Sequence, residues 1–159
     1  MALQGQFDEA FAYFSRALQI DPLYEDAYLE LGKVLERQGK IFDAANHYSY
    51  ALRLNPNSIE ALSHQALLLA THKDLEMQNP NGALNYAEKA VGLSQGSDAF
   101  SLHALAVVYA KLGRFPEAIK AAEIAFASAS ESGDKELATT LESSLKLYQA
   151  GRALDEGKP

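Results

Sequence analysis

The side chains of this 159-residue sequence that could hold a metal or move a proton are His47, His64, His72 and His103, together with scattered carboxylates. His64 and His72 are eight residues apart with apolar residues between them, which on a helix is about 12 Å of rise, too far to share an ion without a third element. His64 and His103 could meet from neighbouring helices, yet a surface or groove position is the reading for each His and no metal is expected. The carboxylates stand beside cations, Glu36 with Arg37, Glu88 with Lys89 and Glu117 near Lys120, the pattern of solvated helix faces rather than of an acid–base pair. No glycine-rich phosphate loop ending in Lys-Ser/Thr, G-x-S-x-G, H-E-x-x-H or Asp-rich calcium loop occurs. There is no Cys, hence no disulfide framework, thiolate nucleophile or thiolate zinc site. No catalytic residue, no cofactor and no enzymatic activity are expected.

Charge narrows the partners. Fourteen basic residues face 21 acidic ones, a formal charge of −7, the wrong sign for the counterion-releasing face that binds nucleic acid. No run approaches the roughly 18 apolar residues of a membrane span, and Gln4, Asp8 and Glu9 follow Met1 where a leader would be basic and then apolar. Neither direct membrane insertion nor an export signal is expected. The chain reads as cytoplasmic, or as the soluble part of a larger or exported protein.

Since nothing points to a reaction, the elements must supply a surface. Ala and Leu dominate, with only five Pro and ten Gly as punctuation, which predicts helices joined by short turns. A chain of this length can bury roughly 70% of the surface it exposes unfolded. Sliding the sequence by 34 residues lays Gly5 on Gly39, Ala10 on Ala44, Phe14 on Tyr48, Ala17 on Ala51 and Pro22 on Pro56. The same shift puts Tyr28 on Leu62, Gly32 on Ala66 and Leu35 on Leu69. Ala44, Tyr48 and Ala51 return as Ala83, Ala87 and Ala90, and again as Ala118, Ala122 and Ala125, the extra residues falling in turns.

Each unit reads as two amphipathic helices. Ala27, Tyr28, Leu31, Val34 and Leu35 keep helical spacing, "RQGK" makes the turn, and Phe42, Ala45, Tyr48, Ala51 and Leu52 resume the period until "NPN". Small residues at Gly32, Ala44 and Ala51 let the paired backbones approach, while Tyr28, Leu35 and Tyr48 fill the space beside them. Tyr13, Tyr48, Tyr86 and Tyr109 sit at core spacing and are read as packing residues.

The pattern Tyr28-x2-Leu31-Gly32-x2-Leu35 followed by Ala44-x3-Tyr48-x2-Ala51-x4-Pro56 resembles the tetratricopeptide repeat, with Tyr in place of the usual Trp and Leu35 in place of the usual Tyr. The resemblance implies an all-α fold, a right-handed α-solenoid of tetratricopeptide-type helix pairs with a C-terminal capping helix. It spans nearly the whole chain as one domain, 1–159. The expected parts are a half repeat at 2–22, repeats at 25–58, 59–93 and 99–129, and a capping helix at 135–150. In the third unit Gln65 stands where Leu is expected, and in the fourth Ala122 stands where the aromatic should be. The last segment starts at a capping Asp134, ends at Gly151 and carries Leu137, Leu141, Leu145 and Tyr148 on one stripe, with Glu136, Lys146 and Gln149 facing away; such a polar-backed helix seals a solenoid core. At the other end Gly5 falls at the inter-helix turn by register, so Phe7, Ala10, Phe11, Phe14 and Leu18 lack part of their packing partner. That strip predicts contact with something, and a fragment cut inside a repeat is the favoured explanation, ahead of a homodimer through the N-terminal half repeat at Phe7, Phe11 and Phe14.

By the same resemblance, the first helices of the pairs line a concave groove that binds extended or helical segments of other proteins. Its register positions here are Asp26, Leu29, Lys33 and Arg37, then Glu60, Ser63, Leu67 and Thr71, then Phe100, His103, Val107 and Lys111. They lack the Lys/Asn/Asn/Lys/Arg clamp by which some members hold a chaperone's C-terminal carboxylate. Leu29, Leu67, Phe100 and Val107 beside Lys33, Arg37 and Lys111 suit an apolar segment of some acidic character. The expectation is a protein-interaction scaffold. The alternative is an accessory or self-associating structural domain of a larger protein, a membrane-bound transferase being one such parent. The long turn at 71–82, "THKDLEMQNPNG", is a second place where contact could be made.

Overall fold

The computed structural model describes residues 2–72 and 79–153. Among them the regular structure is entirely helical: α1 Ala2–Ile20, α2 Glu25–Arg37, α3 Ile41–Leu54, α4 Ile59–Thr71, α5 Pro80–Leu93, α6 Ala99–Lys111, α7 Phe115–Ser132 and α8 Lys135–Gln149. No helix among the described residues is long and apolar enough to cross a membrane. The chain separates into two units, residues 1–61 and 62–159.

In the first unit α2 packs against both α1 and α3. The α2–α3 pair closes on a bare backbone: a Cβ at Gly32 would lie 2.7 Å from Cδ1 of the Tyr48 ring and nearer still to Cε1. Tyr48 is fully buried, and its hydroxyl donates to Glu36 Oε2 at 2.6 Å. Glu36 is therefore not the solvated partner of Arg37 that the sequence suggests but the acceptor that lets a buried phenol stay paired. The turn after α2 places Gly39 at φ +73°, with the Lys40 amide donating to the Leu35 carbonyl at 2.9 Å, the C-terminal lock that a left-handed residue permits.

Three expectations about this unit need correction. Gly5 marks no turn, because α1 runs unbroken from Ala2 to Ile20 and open space surrounds the glycine; register alone placed a turn where no packing demands one. Tyr13 is not a core residue but 72% exposed, the burial falling instead toward the neighbouring Phe14. Phe42 is 52% exposed, since the buried stripe of α3 passes through Ala44, Ala45, Tyr48 and Ala51.

The buried core of the second unit is built largely of alanine. Ala118, Ala121, Ala122, Ala125 and Ala129 of α7 form one buried cluster with Leu102, Ala106 and Ala110 of α6 and with Leu141 and Tyr148 of α8. A second cluster joins Ala66 and Ala70 of α4, Ala83 and Ala87 of α5, and Ala104, Leu105, Val107 and Val108 of α6. Methyl-sized side chains on both sides allow helices to approach closely while retaining helix propensity. Side chains cap three helix starts: Asn79 accepts from the Gly82 amide at 2.9 Å, Asp98 from Ser101 at 2.7 Å and Asp134 from Leu137 at 3.0 Å. The stripe expected on α8 is its inner side, with Leu141 and Tyr148 buried and Leu137 and Leu145 packed beside them. Of the long turn at 71–82, residues 73–78 lie outside the described residues.

Candidate partner-binding surfaces

On the first unit, Asp26, Lys33 and Arg37 follow one side of α2 at spacings of seven and four, and Glu60 stands at the start of α4. Asp26, Arg37 and Glu60 are exposed, Lys33 is half-buried, and Leu29 on the same side is 6% exposed. Lys33 is already engaged, its ammonium lying 2.8 Å from Glu30 Oε1 and 2.8 Å from Glu60 Oε1. Burial pulls its pKa down, but the hydrogen bonds to Glu30 and then Glu60 outweigh it, and the net shift is upward. A cation held by two carboxylates offers no surplus charge to an acidic partner, so this corner is net negative. Elsewhere on α2 and α3 a ring cluster forms: Tyr28 stacks on Tyr50 with centroids 5.3 Å apart, and the Arg53 guanidinium lies 4.1 Å from the Tyr50 centroid.

On the second unit, register positions and structure agree less. Ser63, Thr71 and Val107 are buried at 0%, 7% and 1% exposure and offer no open side chain; the Thr71 hydroxyl donates to the Leu67 carbonyl at 2.7 Å. Leu67, Phe100 and Lys111 are half-buried and do reach the surface. The Phe100 ring bridges two imidazoles, with centroids 4.8 Å from His64 and 6.3 Å from His103.

His103 is 8% exposed, and its Nδ1 has no hydrogen-bonding partner. Burial lowers its pKa to about 4, so the ring is neutral near pH 7. It helps to line a cleft of about 350 Å³ whose other walls are Phe100, Asp134, Glu136, Leu137 and Thr140. Four of those six residues belong to the cap and first turns of α8, which sequence reasoning treated only as a seal; Glu136, expected to face away, lies on the cleft. Residues 100 and 140 share it because α8 packs on α7 and reaches α6, a proximity no local spacing encodes. Among the described residues no group of three or more His, Cys, Asp and Glu side chains is arranged to hold a metal ion.

Residues 2–39 match the sequence model described as TPR repeat, and residues 25–58 the one described as Tetratricopeptide repeat. Tetratricopeptide repeat protein 29 of Trypanosoma brucei brucei (strain 927/4 GUTat10.1) is 28% identical over an alignment of 132 positions that takes in 71% of this chain. The alignment covers 27% of that relative, so the chain spans about a quarter of its length. Among solved structures, TTC0263, a thermophilic TPR protein of Thermus thermophilus, superposes with a TM-score of 0.69 at 23% identity, over 92% of this chain and 76% of that one. MamA gives 0.63 at 20% identity over 94% and 91%. YrrB, described as a TPR protein with an unusual peptide-binding site, gives 0.59 at 18% over 94% and 81%. At these identities the likeness is one of fold.

Proposed function

Residues 2–58 match tetratricopeptide-repeat models, and from that premise we propose that the chain is a non-enzymatic scaffold that binds a peptide or helical segment of another protein, the second unit's α6 and α8 supplying the binding surface. The observation that supports this reading is the second unit's open aromatic edge, where Leu67, Phe100 and the cleft beside His103 leave apolar and polar groups accessible together. Sites that bind segments of other proteins mix such anchors with a few fixed polar groups. YrrB, a fold neighbour, is itself described as having a peptide-binding site. The occupied state of Lys33 argues against the acidic segment suggested by the sequence.

The test is a binding comparison between the wild-type chain and Phe100→Ser, after circular dichroism has established equal helicity and melting. Peptides selected on the immobilised wild-type chain, or a partner captured by it, should bind Phe100→Ser at least about tenfold more weakly if this edge supplies an anchor. Equal retention by the two chains would rule the edge out.

A second reading has its own support in α1. Of the residues from Gly5 to Ile20 not one is buried, Phe7 and Phe14 are half-buried and Phe11 is 39% exposed. Such a strip suits self-association of an accessory structural domain, through Phe7, Phe11 and Phe14. Sedimentation velocity decides it: a concentration-dependent dimer that Phe7→Ser/Phe11→Ser abolishes supports this reading, and a monomer at every concentration rejects it.

A further inference from the structure

His103 is more than nine-tenths buried and carries an Nδ1 with no partner. Most buried polar atoms in folded proteins are paired, and an orphan is destabilising. The side chain lies on the wall of the cleft at α6 and α8, with the Phe100 ring, the apolar Leu137, the Thr140 hydroxyl and the carboxylates of Asp134 and Glu136 around it. Among the described residues no Lys or Arg engages either carboxylate. Asp134 Oδ1 caps α8 by accepting from Leu137, which leaves its second oxygen for another donor.

The geometry points to a pocket for a basic side chain: a Lys or Arg of the bound segment, its stem against Phe100 and Leu137, its cationic head beside Asp134 and Glu136. This assignment rests on the reading of the chain as a segment-binding scaffold and names what the segment must carry. An aromatic face and two carboxylates attract the same sign of charge. A neutral imidazole lets the cleft accept a cation without like-charge repulsion. The starts of α6 and α8 each contribute only about half a positive charge, and Asp98 and Asp134 cap them. With Glu136 added, the field at the cleft is negative, which disfavours the anion that an uncapped helix start would attract.

The experiment titrates the full chain with the peptide acetyl-Leu-Arg-Ala-Leu-amide and with the same peptide bearing uncharged citrulline for Arg, following the Phe100, His103 and Thr140 signals by NMR. Saturable shifts at those residues with the arginine peptide, at least about tenfold weaker with citrulline, are expected, as is a loss of at least about threefold in Glu136→Gln, the size of one exposed carboxylate contact. Glu136 is exposed, so that variant keeps its fold. Equal binding of the two peptides, or no shifts at Phe100 and His103, overturns the assignment. A protein partner lost by Phe100→Ser but kept by Glu136→Gln also overturns it, while leaving the scaffold reading intact.

Discussion

At the scale of single residues, two contacts show how sequence types become physical demands. Gly32 is where the ring of Tyr48 rests. Alanine at position 32 gains about 1 kcal/mol of helix propensity, but overpacking a ring that is fully buried and tied to Glu36 typically costs about 1–3 kcal/mol. Gly32→Ala is expected to destabilise the chain by about 1 kcal/mol, read as a lower urea midpoint with an unchanged slope; a higher midpoint would mean the ring moves freely. The second contact concerns protons. His103 is held at about 4 by burial, against an ordinary 6.5, with His64 beyond Phe100 and with Asp134 and Glu136 as the charged groups on its cleft. Between those values the unfolded chain binds a proton that the folded chain refuses. Stability should therefore fall as pH drops from about 6.5 toward 4 and level off below, by on the order of 3 kcal/mol from this residue. The His103 imidazole signal titrating near 6.5 in the folded chain would refute it. The Gly32–Tyr48 contact was legible, because self-comparison at the repeat period marks position 32 as recurrently small and position 48 as recurrently bulky. The His103 cleft was not, because its walls come from positions 100 and 140, which only the packing of α8 unites.

At the scale of the element, caps and turns were legible where they depend on a few neighbouring residues. Asp134, Gly151 and the α8 stripe could be read directly, and Gly39 and Gly113 sit in the matching turns "RQGK" and "KLGR". Gly113 has φ +73°, and the Arg114 amide beyond it donates to the Tyr109 carbonyl at 2.9 Å. An alanine there must adopt the left-handed region, so Gly113→Ala should cost about 1–2 kcal/mol, measured as a lower melting temperature; Arg114→Lys should leave this backbone lock unaffected. Legibility ended where a helix is covered on several sides. α6 buries nine residues, from Ser101 to Ala110, more than one amphipathic stripe holds, and so Val107 reads as a groove position yet is enclosed. Register also misassigned the partner of Glu117, which bonds Arg114 at 2.9 Å rather than Lys120.

At the scale of the whole molecule, each helix depends on its neighbours in space, so local stability follows burial. α6 carries nine buried residues and α1 none from Gly5 onward. Amide hydrogen exchange should be slowest in the middle of α6 and fastest, among the helices, in α1; equal protection of the two would show that something covers α1 in solution. The distribution of apolar surface follows the same division. Among the described residues, eight of the eleven exposed large hydrophobics, from Phe11 to Leu54, belong to the first unit. On the two readings proposed above, association would begin in that unit, and a bound segment would meet the more varied chemistry of the second.

The alanine seam of α7 bears on how such a chain can change over generations. Ala118, Ala121, Ala122, Ala125 and Ala129 are all buried against neighbours with little room to spare. An alanine codon altered at one base yields Val, Thr, Pro, Asp, Glu, Ser or Gly, and all but the last two bring bulk, charge or a broken helix into that seam. Drift along the inward side of α7 is thus confined almost to Ser and Gly, whereas codons for its outward residues, such as Glu123 and Ile124, are free to wander.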